Sequence, residues 1–217
     1  MEKKMDARLS ELIKRYPVLS SIKDSIFEAF SIMVETFEND GTLFACGNGG
    51  SAADGDHIVG ELMKGFVLRR EIDGDLKDSF LSKLGEDGQI FADKLQKGLK
   101  AVSLTSHPAL ITAFSNDVDP SLIYAQQLFV LGRKGDVLVA ISTSGNSDNI
   151  YKCMQLASVV GIKTILMTGD SGGRCAKIAD CPIKVPESET FKIQEYHLPI
   201  YHTLCLMLEE KFYGGKK

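Results

Sequence analysis

The run from Leu43 to Leu62 constrains this chain more than any other part of it. Its front, Thr42 to Cys46, is a short segment without a charged break, as in a strand buried on both faces of a parallel sheet. Gly47, Gly49 and Gly50 follow, and glycines there permit a tight turn and a close approach to the backbone. Ser51 then opens a helical pattern, as a cap or first-turn residue does. A helix N-terminus offers unpaired N–H groups and a partial positive charge, so this strand, turn and helix form a seat for an anion, with phosphate the natural guest. Further along, His57 and Glu61 are four residues apart, hence on one helix face. That pair can share a proton, a metal or a substrate; a polar pair without chemistry fits the same spacing.

The rest of the composition narrows the class. A chain of 217 residues with 44% hydrophobic content is enough for one well-packed domain with an appendage. A net charge of −4 argues against a nucleic-acid backbone as partner. No apolar run is long enough to span a bilayer, and no signal-peptide core follows Met1 to Asp6. The five cysteines, Cys46, Cys153, Cys175, Cys181 and Cys205, have no Cys-x-x-Cys spacing and are odd in number. Reduced thiols in a cytoplasmic protein are the simplest account.

Two helical patterns precede the first strand: Leu9, Leu12, Ile13 and Tyr16, stopped by Pro17, and Ile22, Ile26, Phe30, Met33 and Phe37, stopped near Asp40-Gly41. Lying ahead of the sheet, they are expected to find little of it to cover and to turn apolar surface to another subunit. Residues 64–100 read as a charged insertion of one or two short helices, more a solvated appendage than a lid. Strands are expected at Ala101–Thr105, Val137–Ile141, Lys163–Thr168 and Pro182–Val185, with helices after His107-Pro108 and over Leu122–Leu131. A long final helix runs from about Glu187 to Phe212, with Pro199 expected to kink it. Strands alternating with helices make an α/β fold: a three-layer sandwich whose five-stranded parallel sheet is flanked by helices. The third strand runs into Ser142-Thr143-Ser144-Gly145-Asn146-Ser147, a hydroxyl-rich turn on the carboxyl edge, where open α/β sheets bind ligands. Hydroxyls, backbone N–H groups and a helix end can hold a phosphate there without a lysine.

Several segments together resemble the SIS (sugar isomerase) domain, and within it the phosphoheptose isomerases. They are Gly47-Asn48-Gly49-Gly50-Ser51-Ala52-Ala53-Asp54, His57 with Glu61-Leu62, Asn116-Asp117, Ile141 to Ser147, Thr168-Gly169, and Ile193-Gln194-Glu195 with His197 and His202. The resemblance implies one SIS domain over residues 1–217, with N-terminal helices over 1–40 and the insertion at 64–100. It implies that Gly49, Gly50, Ser51, Ser142, Thr143, Ser144 and Ser147 hold the phosphate, and that Asn48, Asp117 and Gln194 contact substrate. Glu61 and His202 are then the acid/base pair. Some members bind zinc, which would fall to His57, Glu61, Gln194 and His202. The family forms homotetramers with sites between subunits. Two departures stand out. Lys64-Gly65-Phe66 occupies the region where the family has an arginine, and Phe191 stands where it often has an aspartate, with Glu189 as a substitute.

The activity so implied is aldose–ketose isomerisation through an enediolate, on sedoheptulose 7-phosphate, in heptose synthesis. A base near C1–C2 suits Glu61, and an imidazole that donates or accepts near neutral pH suits His202. Gln194 and His202 are eight residues apart, roughly 12 Å along a helix, so a single ion would need one of them from a neighbouring subunit. Two other classes compete. A non-catalytic SIS module sensing sugar phosphates, or binding a replication initiator as a regulatory tetramer, keeps the serine turn without the acid/base pair. A dinucleotide enzyme is weakly signalled by Gly47, Gly49 and Ala52, because its ribose-binding acid would fall in the insertion.

Overall fold

The computed structural model describes residues 2–215; Met1 and the last two residues lie outside it, so the expectation about a leader, which rests on Met1 to Asp6, is not addressed. Five strands, β1 (Leu43–Gly47), β2 (Ala101–Ser103), β3 (Val137–Ile141), β4 (Lys163–Thr168) and β5 (Cys181–Lys184), form one parallel sheet in the order β2-β1-β3-β4-β5. The strands alternate sides, as a pleated chain must. Leu43 and Ala45 of β1 join one core, whereas Phe44 and Cys46 join the other. The first core is closed by α1 (Glu2–Arg15), α2 (Lys23–Glu38), α3 (Gly50–Met63) and α9 (Thr190–Tyr213). The second is closed mainly by α7 (Ile123–Leu131) and α8 (Asp148–Val160), with α6 (Pro108–Asp117) packed at its margin.

The expectation that the two N-terminal helices find little of the sheet to cover is corrected by this arrangement. Leu9, Leu12, Ile26, Ala29, Phe30 and Met33 are all buried within the chain. α2 packs against β3, β5 and α9, because the long terminal helix returns to the same sheet face and makes a groove for it. Among the described residues there, Val18 and Phe27 are the large apolar side chains that remain exposed. α9 also runs unbroken through Pro199, whose carbonyl accepts a hydrogen bond from Thr203 Oγ1 at 2.8 Å.

The insertion contains α4 (Gly74–Leu84) and α5 (Gly88–Lys94), which pack on each other with Phe80 stacked on Phe91 at 5.4 Å. Its root is stapled by Lys97 N to Arg70 O (2.7 Å) and Leu99 N to Leu62 O (2.9 Å). No helix among the described residues is long and apolar enough to cross a membrane.

The topology fixes where a ligand belongs. The β1–α3 connection leads to β2 on one side, and β3–α8 leads to β4 on the other. β1 and β3 are neighbours in register, Gly47 opposite Ile141, so the turns that follow them open side by side at the point where the connections diverge.

Candidate active site

Two turns meet at that point. After β1, Gly49 takes φ +56°, a conformation glycine reaches without strain, and α3 begins at Gly50. The Ser51 and Ala52 amides close the first turn onto the Asn48 and Gly49 carbonyls, and Ser51 is buried. After β3, Ser142 is buried and its Oγ donates to Ser147 Oγ at 3.2 Å, while Ser144 is exposed at the tip. Gly145 takes φ +64° and lies so close to the 169–173 turn that a Cβ there would stand 2.0 Å from Gly172 O. The two turns are tied directly. Asn48 Nδ2 donates to Asn149 Oδ1, and Asn149 Nδ2 donates back to Asn48 Oδ1, both at 2.9 Å. Beneath them Tyr124 OH donates to Gly47 O at 2.6 Å.

α9 lies along α3 in the same direction. Gln194 sits over the start of α3, where a Cβ on Gly50 would stand 2.8 Å from its Nε2. Farther on, Tyr201 and His202 meet His57, and at the far end Glu209 meets the chain leaving α3. The middle station holds the chemistry. His57 Nε2 is 3.3 Å from Glu61 Oε1, and Lys64 Nζ donates to Glu61 Oε2 at 2.7 Å. The His57 and His202 rings meet edge to face, with centroids 4.9 Å apart. His202 Nε2 is buried without a hydrogen-bond partner among the described residues. Burial, then the neighbouring His57, pushes the His202 pKa below its ordinary value, so its imidazole is kept neutral.

Comparison with known proteins identifies the family. A family model for the SIS domain matches residues 8–77 and 91–169, leaving 78–90 of the insertion outside it. The phosphoheptose isomerase of Helicobacter pylori (strain P12) is 34% identical over 194 residues, 89% of this chain and 88% of its own. The chain belongs to the SIS-domain phosphoheptose isomerases. The phosphoheptose isomerase of a Nitratiruptor species is 36% identical over 195 residues, 90% of each chain. The solved phosphoheptose isomerase of Neisseria gonorrhoeae superposes with a TM-score of 0.73 at 30% identity, covering 96% of this chain and 98% of that one. That of Francisella tularensis gives 0.74 at 28%, covering 96% and 97%.

Within this phosphoheptose isomerase fold, the residues expected from sequence fall into three groups. Gly49, Gly50 and Ser51 line up beside Ser142, Thr143, Ser144 and Ser147 across the Asn48–Asn149 bridge. His57, Glu61 and His202 meet on α3 and α9. Gln194 joins the first group instead of the second. Asp117 is set apart: it closes α6, exposed, and its carboxylate accepts from its neighbour Asn116. The departures from the family pattern also have places. Lys64 supplies a cation to the Glu61 carboxylate. Phe191 is exposed, and Glu189 pairs with Lys192. Asn149, Tyr124, Asp54 and Tyr201 were not singled out from sequence. Only Asp54, three residues before His57 and so on the same face, carried a signal that spacing offers.

Proposed function

We propose that this protein isomerises sedoheptulose 7-phosphate to D-glycero-D-manno-heptose 7-phosphate. The observation that carries the reading is the asymmetry of one groove: an anion seat at the N-terminus of α3 and a carboxylate beside two imidazoles farther along the same helix. Helical side chains lean toward the N-terminus, so the Glu61 carboxylate lies about a turn short of its Cα, roughly 10 Å from Ser51. That matches the reach of a heptose phosphate. The two turns hold the phosphate with hydroxyls and helix-end amides. Glu61 takes the proton from C1, next to the C2 carbonyl, exchanges it with solvent at the enediolate, and delivers a proton to C2. His202, kept neutral by burial, passes a proton between the two oxygens. Lys64 donates to the other Glu61 oxygen and so fixes how the carboxylate faces the groove.

Zinc suits the donor set in part. His57 Nε2, Glu61 Oε1 and the unpartnered His202 Nε2 are the right chemistry, although among the described residues no three such side chains already converge as ligands. These three would hold the ion, which would polarise the sugar carbonyl; with the ion bound, Glu61 Oε1 and His202 Nε2 would serve as ligands, and the proton transfers above belong to the metal-free site. Gln194 meets α3 at Gly50, seven residues and roughly 10 Å before His57, so a fourth ligand from Gln194 would come from a neighbouring subunit. We propose an oligomer on that ground, a homotetramer by resemblance to the family, working in the cytoplasm, where five free buried thiols stay reduced.

The test is incubation with sedoheptulose 7-phosphate in D2O, followed by NMR. Isomerisation with deuterium entering at C2, lost in Glu61→Gln, supports the reading. Tight binding without turnover by the wild type refutes it in favour of a sugar-phosphate sensor.

A further inference from the structure

A three-residue chain of hydrogen bonds stands behind His57. Asp54 and His57 are three apart on α3, and Tyr201 reaches between them from α9. The Tyr201 hydroxyl is 3.2 Å from Asp54 Oδ1 and 3.0 Å from His57 Nδ1. From this geometry we infer that Tyr201 and Asp54 are positioning residues that fix the ring orientation and tautomer of His57, turning its bare Nε2 into the site.

Donors and acceptors decide the tautomer. A phenol has one proton to give, and a carboxylate can only accept. The Tyr201 hydroxyl therefore donates to Asp54, and its oxygen accepts from His57 Nδ1–H. In a neutral imidazole with the proton on Nδ1, Nε2 carries a lone pair. That lone pair faces Glu61 Oε1 at 3.3 Å. Two acceptors at that distance require something positive between them: a shared proton, a substrate hydroxyl or a cation. The chain thus arms the Nε2/Oε1 pair for the guest that the proposed isomerase reading puts there, and the role of the pair in turnover rests on that reading. The tautomer does not.

The packing makes the arrangement stiff. The Tyr201 ring is buried at 2% exposure. It meets His57 edge to face at 5.4 Å and 73°, and His202 at 5.1 Å and 87°. Swinging the hydroxyl away would break both contacts, so His57 is held from behind while its front stays accessible. Tyr201 lies one residue before His202, and one turn of α9 therefore supplies both an imidazole of the site and the support of the other.

The test reads the tautomer directly. Metal-free protein with 15N-labelled histidine is examined by two-bond 1H–15N spectra at pH 9, and His57 is assigned with a His57→Gln blank. The wild type should show the Nδ1–H form. Asp54→Ala frees the hydroxyl to donate to Nδ1 and should switch His57 to the Nε2–H form. Tyr201→Phe keeps the ring packing, and should give a mixture of forms with an unchanged melting temperature. Its kcat should fall about 10- to 100-fold, the usual cost of removing such a support, with little change in KM. A wild-type Nε2–H tautomer, or a Tyr201→Phe protein with unchanged tautomer and kcat, would overturn the inference. If the wild type shows the Nδ1–H form and the switch but no turnover, the positioning role stands and the isomerase reading fails.

Discussion

The buried pair Arg70–Glu209 makes a demanding prediction, because it locks the end of α3 that carries Glu61. Both side chains are fully buried. Glu209 accepts from three successive amides, Phe66 (2.7 Å), Val67 (2.9 Å) and Leu68 (3.1 Å), and from Arg70 Nε (2.9 Å). Arg70 in turn donates to Leu62 O (2.7 Å) and Glu61 O (3.2 Å), which satisfies carbonyls at the helix end. Glu209→Gln keeps the shape but puts an NH2 against amides that need an acceptor and leaves the guanidinium uncompensated. Removing one partner of such a pair costs about 3–5 kcal/mol, and for a chain of this size that is a loss of roughly 6–20 °C in Tm. Glu210→Gln is the control: its partner Arg8 is a third exposed, and the change costs about 1 kcal/mol or less. Urea titration at pH 7 reads both. Burial alone would raise the Glu209 carboxyl, but the three amides and Arg70 together hold it below its usual 4.5. With the folded value depressed, its stabilisation is present above pH 4.5 and drains away as pH falls through the folded value, so the gap between wild type and variant should narrow in acid. A Glu209→Gln protein within 1 kcal/mol of wild type at pH 7 would refute the reasoning.

Other expectations follow from single contacts. Ser144→Ala in the exposed turn should raise KM for the sugar phosphate about 10-fold by steady-state kinetics, the worth of one hydrogen bond to a charged group, and cost only about 1 kcal/mol of stability for the lost Asn146 N–H bond to its Oγ. Gly145→Ala cannot keep φ +64° with its Cβ 2.0 Å from Gly172 O, so it should lose both phosphate affinity and more than about 1 kcal/mol of stability in a urea melt. Burial presses His197 down to about 4 from 6.5. Its unfolded form therefore binds a proton that the native form refuses, and stability should fall by roughly 3 kcal/mol as pH drops from 6.5 towards 4. His197→Leu should flatten that slope.

Much of the fold was legible because its signals are local. The apolar runs Val137–Ile141 and Lys163–Thr168 coincide with β3 and β4, and the glycine turn after Cys46 opens α3 as its composition requires. What sequence alone missed depends on distant chain. The N-terminal helices showed no partner in the sequence because their groove is built by α9, some 160 residues later. Asn149 carries no signal in the sequence; the register of β1 against β3 is what puts it opposite Asn48. Tyr201 carries no signal of its own and is buried like any core ring; its hydroxyl matters only because α9 runs parallel to α3 and meets it at Asp54. Lys64 looked like a departure from the family pattern, yet one turn of helix returns its ammonium to Glu61.

The central claim is that one groove grips a phosphate at the start of α3 and presents the Glu61 carboxylate to the carbonyl end of the same sugar. A crystal structure of the Glu61→Gln protein with sedoheptulose 7-phosphate tests it most directly. The phosphate should lie between Gly49–Ser51 and Ser142–Ser147, with C1 and C2 within hydrogen-bonding reach of the residue 61 side chain. A sugar bound with its phosphate elsewhere, or with C1 and C2 turned away from Glu61 and His202, would contradict it.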